Sequence, residues 1–146
     1  MAKTYNQKMK VLHILRLLTD KTDENHYLST AKLIEELEKV GIRAERKSIY
    51  NDISELTDYG YDIIHVKSRV HGGYYLGGRE FELAELKLLV DAVQSSRFIT
   101  KKKSTELIKK IEKLTSTYEA KKLQRQVYVT NRIKTDNESI YYNIDD

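Results

Sequence analysis

Between residues 45 and 66 the chain reads ERKSIYNDISELTDYGYDIIHV, and two periods meet inside that stretch. In its first part Ile49, Ile53 and Leu56 stand at i, i+4 and i+7, the spacing of one helical face. Gly60 follows where a helix needs a left-handed residue to stop. Then Tyr61-Asp62-Ile63-Ile64-His65-Val66 is short and β-branched, which is a strand signal. Ser68-Arg69-Val70-His71-Gly72-Gly73 reads as a turn, with two glycines that tolerate positive φ. Tyr74-Tyr75-Leu76 resumes the strand, one tyrosine in the core and the other half exposed, and Gly77-Gly78 ends it. The stretch therefore predicts a helix followed by a β-hairpin.

Two further helices precede it. Val11, Ile14, Leu15 and Leu18 form one apolar stripe, widened by Leu12 and Leu17, and the polar run 19–25 reads as a loop. Ser29 is placed to cap the next helix, because its hydroxyl can accept from a free backbone N–H. From Thr30 to Val40, Leu33, Ile34 and Leu37 share a face, with Glu35, Glu36 and Glu38 outside. Gly41-Ile42-Arg43-Ala44 is the turn into the third helix, and Ile42 plugs the angle. Downstream, Leu86, Leu89, Val90 and Val93 give another helical stripe. Ser95 to Thr100 is a break. Leu107, Ile108, Ile111 and Leu114 follow, with Lys109, Lys110 and Lys113 opposite. Lys101-Lys102-Lys103 reads as a solvated helix start. Glu119 to Gln126 suits a short helix and Val127-Tyr128-Val129 a strand. Ile140, Tyr141 and Ile144 return to near-helical spacing.

Composition narrows the function. The 146 residues carry 26 Lys plus Arg against 22 Asp plus Glu, a net charge of +4, so distribution matters more than sum. There is no Cys, which removes disulfide scaffolds, thiol nucleophiles and cysteine zinc sites. No apolar run approaches the roughly 20 residues that span a bilayer. Met1 to Lys10 is polar and basic, without the apolar core of a secretory signal. A cytoplasmic protein is expected. His13, His26, His65 and His71 have no metal spacing, and no Gly-x-Ser-x-Gly or phosphate-loop motif occurs. No enzymatic activity, cofactor or metal is expected.

Three helices and then a hairpin is the order of a winged helix-turn-helix. In that arrangement the third helix enters the DNA major groove. With Ile49 inward, Arg46, Lys47, Ser48, Tyr50 and Asn51 are available to DNA. Arg suits guanine, Asn suits adenine, and Lys and Ser can hold phosphate or base edges. Asp52 is expected to serve structure instead. Lys67, Arg69 and His71 on the hairpin can lie along the backbone or in the minor groove. Ser29 and Thr30 sit at a helix N-terminus, where free N–H groups favour a phosphate.

These residues carry a resemblance. Leu33 to Leu37, Arg46 to Leu56, Gly60 to Ile63 and Gly72 to Leu76 resemble the DeoR/YafY-like winged helix-turn-helix of WYL-domain transcriptional regulators. Phe81 to Leu89 resembles the linker helices that follow that module. Gln126 to Arg132 and Asn143 to Asp145 resemble the approach to the WYL domain, whose Trp-Tyr-Leu signature is absent. The resemblance implies a sequence-specific transcriptional regulator, or its DNA-binding part, paired as a homodimer through the post-hairpin helices. Any effector would bind a domain beyond residue 146, so the chain is read as a fragment or a short form.

The fold class expected is mainly α with a small β-hairpin. The expected division is 1–78 as the DNA-binding domain, 79–126 as a helical linker or dimerisation segment, and 127–146 as the start of a further region. The competing function is a winged-helix module that binds protein, which would present apolar residues on the outer face of the third helix.

Overall fold

A computed structural model of the chain describes residues 2–129, with side chains over 7–124. The described chain is mainly helical with one two-stranded antiparallel hairpin. It divides after Arg79 into two compact units.

The first unit holds α1 (Ala2–Lys21), α2 (Thr30–Lys39), α3 (Arg46–Tyr59), β1 (Ile63–Val66) and β2 (Gly73–Leu76). Its core gathers Ile14 and Leu18 from α1, Leu33 and Leu37 from α2, and Ile49, Ile53 and Leu56 from α3. Leu28, Ile42 and Tyr74 close it, so the turn residue Ile42 is buried as its place between two helices demands. Burying each such aliphatic side chain contributes about 1.5–3 kcal/mol. Helix α1 runs past the expected stop at Leu18, through Thr19, Asp20 and Lys21. The Thr19 and Thr22 hydroxyls donate back to the Leu15 and Leu18 carbonyls, which lets polar residues finish the helix. Arg79 Nη2 donates to the carbonyls of Thr19 at 2.6 Å and Thr22 at 2.9 Å, capping the α1 C-terminus.

The Ser29 hydroxyl accepts from Lys32 N at 3.1 Å and caps α2. Ser29→Ala should lower stability by about 1 kcal/mol, read as a lower denaturation midpoint at unchanged slope. An unmoved midpoint would remove the cap from the account. Gly41 (φ 79) and Gly60 (φ 131) end α2 and α3 in the left-handed region.

The hairpin register is Ile63↔Leu76, Ile64↔Tyr75, His65↔Tyr74 and Val66↔Gly73. Leu28 then adds itself to the outer edge of β2. Its N–H reaches Tyr74 O at 2.9 Å, and Tyr74 N–H reaches Leu28 O at 2.8 Å. Thr22 takes part too, its hydroxyl accepting from Leu76 N at 2.9 Å. The segment that leads into α2 is thereby sewn to the hairpin. Gly72 and Gly73 make no use of the positive φ they tolerate; among the described residues that belongs to Gly41, Gly60 and Gly78. They are needed for close approach instead, with Gly73 against the Leu28 backbone and Gly72 against Ser68.

The second unit holds α4 (Leu83–Ser95), α5 (Lys101–Glu112) and α6 (Thr117–Val129), each touching the other two. Leu86, Val90, Ile108 and Leu123 form its core, with Phe81, Leu83, Val93 and Ile111 around them. The stripes expected to suit a second copy are thus largely used inside this unit, while Leu88, Leu89 and Leu114 stay exposed. Glu82 and Glu85 make a capping box at the start of α4. Val127-Tyr128-Val129 is helical, not a strand. Three β-prone residues at the end of an established helix follow it, because strand preference needs a partner strand. The expected elements between Asn131 and Asp146 lie outside the described residues.

Candidate nucleic-acid interface

The chemistry of this region starts from how α3 is held. Its residues fall into strips four apart, as helical geometry requires. Ile49, Ile53 and Leu56 are buried in the core. Ser48 and Asp52 face α1, where both meet the Lys10 ammonium. Lys47 and Asn51 lie opposite the core and are exposed. Arg46 and Tyr50 lie on the remaining flank, also exposed. Every side of the helix except the last two strips is taken.

The Arg46–Tyr50 flank opens on a cleft of about 340 Å³. Ser29, Thr30 and Ala31 at the start of α2 line its second side, and His65, Val66, Lys67, Ser68, Gly72 and Gly73 its third. Tyr74 lies at its base, nine-tenths buried and stacked on His65 with ring centroids 4.4 Å apart. Burial pushes the Tyr74 phenol above the ordinary tyrosine value; a hydrogen bond with Thr30 acts the other way, and Tyr50 adds to the rise. The phenol is therefore neutral at physiological pH.

Five of the ten residues singled out from the sequence line this cleft: Ser29, Thr30, Arg46, Tyr50 and Lys67. Lys47 and Asn51 do not line it; they are exposed on the open face of α3. Arg69 and His71 are exposed on the loop that closes the hairpin. That loop is shaped by the Ser68 hydroxyl, which accepts from the N–H groups of Val70 and His71 at 3.3 Å each. Ser48 stands apart. It is half-buried and bonded to Lys10, so its hydroxyl is turned to α1. The Ser29 hydroxyl is engaged in its cap. The α2 N-terminus offers a ligand its backbone N–H groups and positive dipole end.

The sequence pattern alone misses three contributors. His65 is the exposed residue of β1, and strand alternation could have placed it. Gly73 falls in the stretch whose composition signals a turn. Lys10 closes the polar, basic N-terminal stretch, and nothing in the pattern singles it out, although it lies four residues before Ile14 on the same stripe.

The cations Arg46 and Lys67 thus line one concave surface together with a helix N-terminus, and Lys47 and Arg69 are exposed on α3 and on the hairpin loop. Such an arrangement can bind a chain of phosphates while a helix face stays free to meet base edges. Among the described residues no helix is long and apolar enough to cross a membrane, and no cluster of three or more His, Asp or Glu is placed to hold a metal. Comparisons with protein-family models, with curated proteins and with solved structures found no match.

Proposed function

We propose that this chain is a sequence-specific DNA-binding regulator of transcription, or the DNA-binding part of one, built as a winged helix-turn-helix. The observation that carries the proposal is the division of α3 into strips. One strip is buried, one is held by α1, and Lys47 and Asn51 are left exposed on a helix whose next flank opens on a cleft lined by Arg46 and Lys67.

In this reading α3 enters the major groove. Lys47 and Asn51, opposite the core, meet base edges, and Asn51 suits adenine N6/N7. Arg46 and Lys67 hold the phosphates beside the groove, with the N–H groups of Thr30 and Ala31 facing the same strand. Arg69 and His71 follow the backbone or the adjacent minor groove as the wing. A protein-binding winged helix would present apolar residues on the open face of α3. Among the described residues the exposed side chains along those strips are Arg46, Lys47, Tyr50, Asn51, Ser54, Glu55, Asp58 and Tyr59; the two tyrosines are the large apolar ones, and the polar, basic start of the helix supports DNA over protein. The resemblance to WYL-domain regulators points the same way and adds pairing of two copies.

Selection of bound duplexes from a random pool tests the proposal. The expected result is one enriched motif, arranged as two half-sites about a helical turn apart, or a multiple of it. A pool that stays unenriched, with no mobility shift at low salt, would leave the interaction module as the better account.

A further inference from the structure

A buried lysine is unusual, because an ammonium is rarely taken fully out of water unless it is paired. Lys10 is 0% exposed. Its Nζ lies 3.0 Å from Asp52 Oδ2 and also donates to Ser48 Oγ. Asp52 Oδ2 is itself enclosed and, among the described residues, receives no hydrogen bond; Lys10 meets it as an ion pair. Two partners one turn apart on α3 therefore converge on a single atom of α1.

Hydrophobic packing alone tolerates small rotations and slides of a helix, since Ile49, Ile53 and Leu56 present a continuous apolar surface. A buried charge held between a hydrogen-bond partner at i and an ion-pair partner at i+4 does not. We infer that Lys10 is a positioning residue for α3: through Ser48 and Asp52 it fixes the rotation of α3 about its axis, and so the direction in which Lys47 and Asn51 project. Each of these two precedes one of the clamped residues, so a turn of the clamp is a turn of the reading strip. Fixing register and orientation is the best-attested use of a buried polar pair, whose net stabilisation is small. The inference rests on the DNA-binding proposal and goes beyond it, because Lys10 touches no part of the cleft.

The test uses the full chain and the Lys10→Met/Asp52→Leu double variant, which removes both charges and leaves neither unpaired. The variant is expected to fold with a denaturation midpoint at or above that of the wild type. With the motif enriched by the wild type, its preference over random duplex should fall by about tenfold or more, the loss of one well-made base contact. Its affinity for random duplex and its salt slope should stay unchanged, because the removed cation is buried and faces no phosphate. The single Lys10→Arg variant, which keeps the charge and the donors, should recover part of the preference.

A double variant that folds and keeps the full preference overturns the inference. So does one that fails to fold, since the pair would then be a stabilising element and nothing more. A wild type that enriches no motif fails the DNA proposal itself, which the same control reveals separately.

Discussion

Gly73→Ala is expected to lower the stability of the chain by about 2–4 kcal/mol, through overpacking and lost backbone hydrogen bonds. A Cβ at residue 73 would sit 2.7 Å from the carbonyl carbon and oxygen of Leu28 and 2.9 Å from Ser29 N. All three are backbone atoms, so no side chain can swing aside. Relief requires Leu28 to move off β2, and the paired hydrogen bonds between Leu28 and Tyr74 go with it. Those bonds hold the start of α2 against the hairpin, and both line the cleft. Affinity for DNA should therefore fall together with stability.

Gly77→Ala is the control. There a Cβ would meet the Ile64 Cδ1 at 2.8 Å and an Asp62 carboxylate oxygen at 2.9 Å. Both are far ends of flexible side chains, so a smaller loss is expected. Equilibrium denaturation of the two variants decides the matter. Equal midpoint shifts would mean that the approach of Leu28 to β2 is not what Gly73 serves.

The contrast between these two glycines shows where sequence patterns carry information and where they stop. Period and punctuation located α2, α3 and the hairpin, because Leu33, Leu37, Ile49, Ile53 and Leu56 bury one face each and Gly41 and Gly60 end the helices. A glycine that permits a turn and a glycine that permits contact look alike in sequence. Gly73 belongs to the second kind, since its neighbour Leu28 is distant along the chain. Lys10 was hidden by its type. A lysine is assigned to solvent by default, and only the depth of the Ile14–Leu18 stripe argues otherwise.

The second unit makes a related point. Periodicity identifies the apolar face of a helix but not what covers it. Leu86 and Val90 on α4 and Ile108 on α5 bury against one another and against Leu123 of α6. No stripe announces α6, in which Leu123 lies among Lys121, Lys122 and Gln124. For the candidate site, residue type identified Arg46, Lys47, Tyr50 and Asn51 from sequence. Their division into two strips with different neighbours needed the fold, as did the turning away of Ser48.

That division leads to opposite expectations for neighbouring residues. Asn51→Ala should weaken binding to the selected motif by about 1–3 kcal/mol, roughly 5- to 150-fold, and relax preference at one base position. The salt slope should be unaltered, because an amide neutralises no phosphate. Arg46→Ala should instead weaken binding to every duplex alike and reduce the salt slope by about one. From residue type alone Arg46 has a strong claim on a guanine. Its place in the cleft, between the α2 N-terminus and Lys67, favours phosphate. Titrations of both variants against the selected motif and a scrambled duplex, at several salt concentrations, separate the two roles. If Arg46→Ala loses preference at one base and keeps its salt slope, α3 is turned further toward its Arg46–Tyr50 flank in the groove. If Asn51→Ala binds both duplexes as the wild type does, the strip opposite the core is not the reading face.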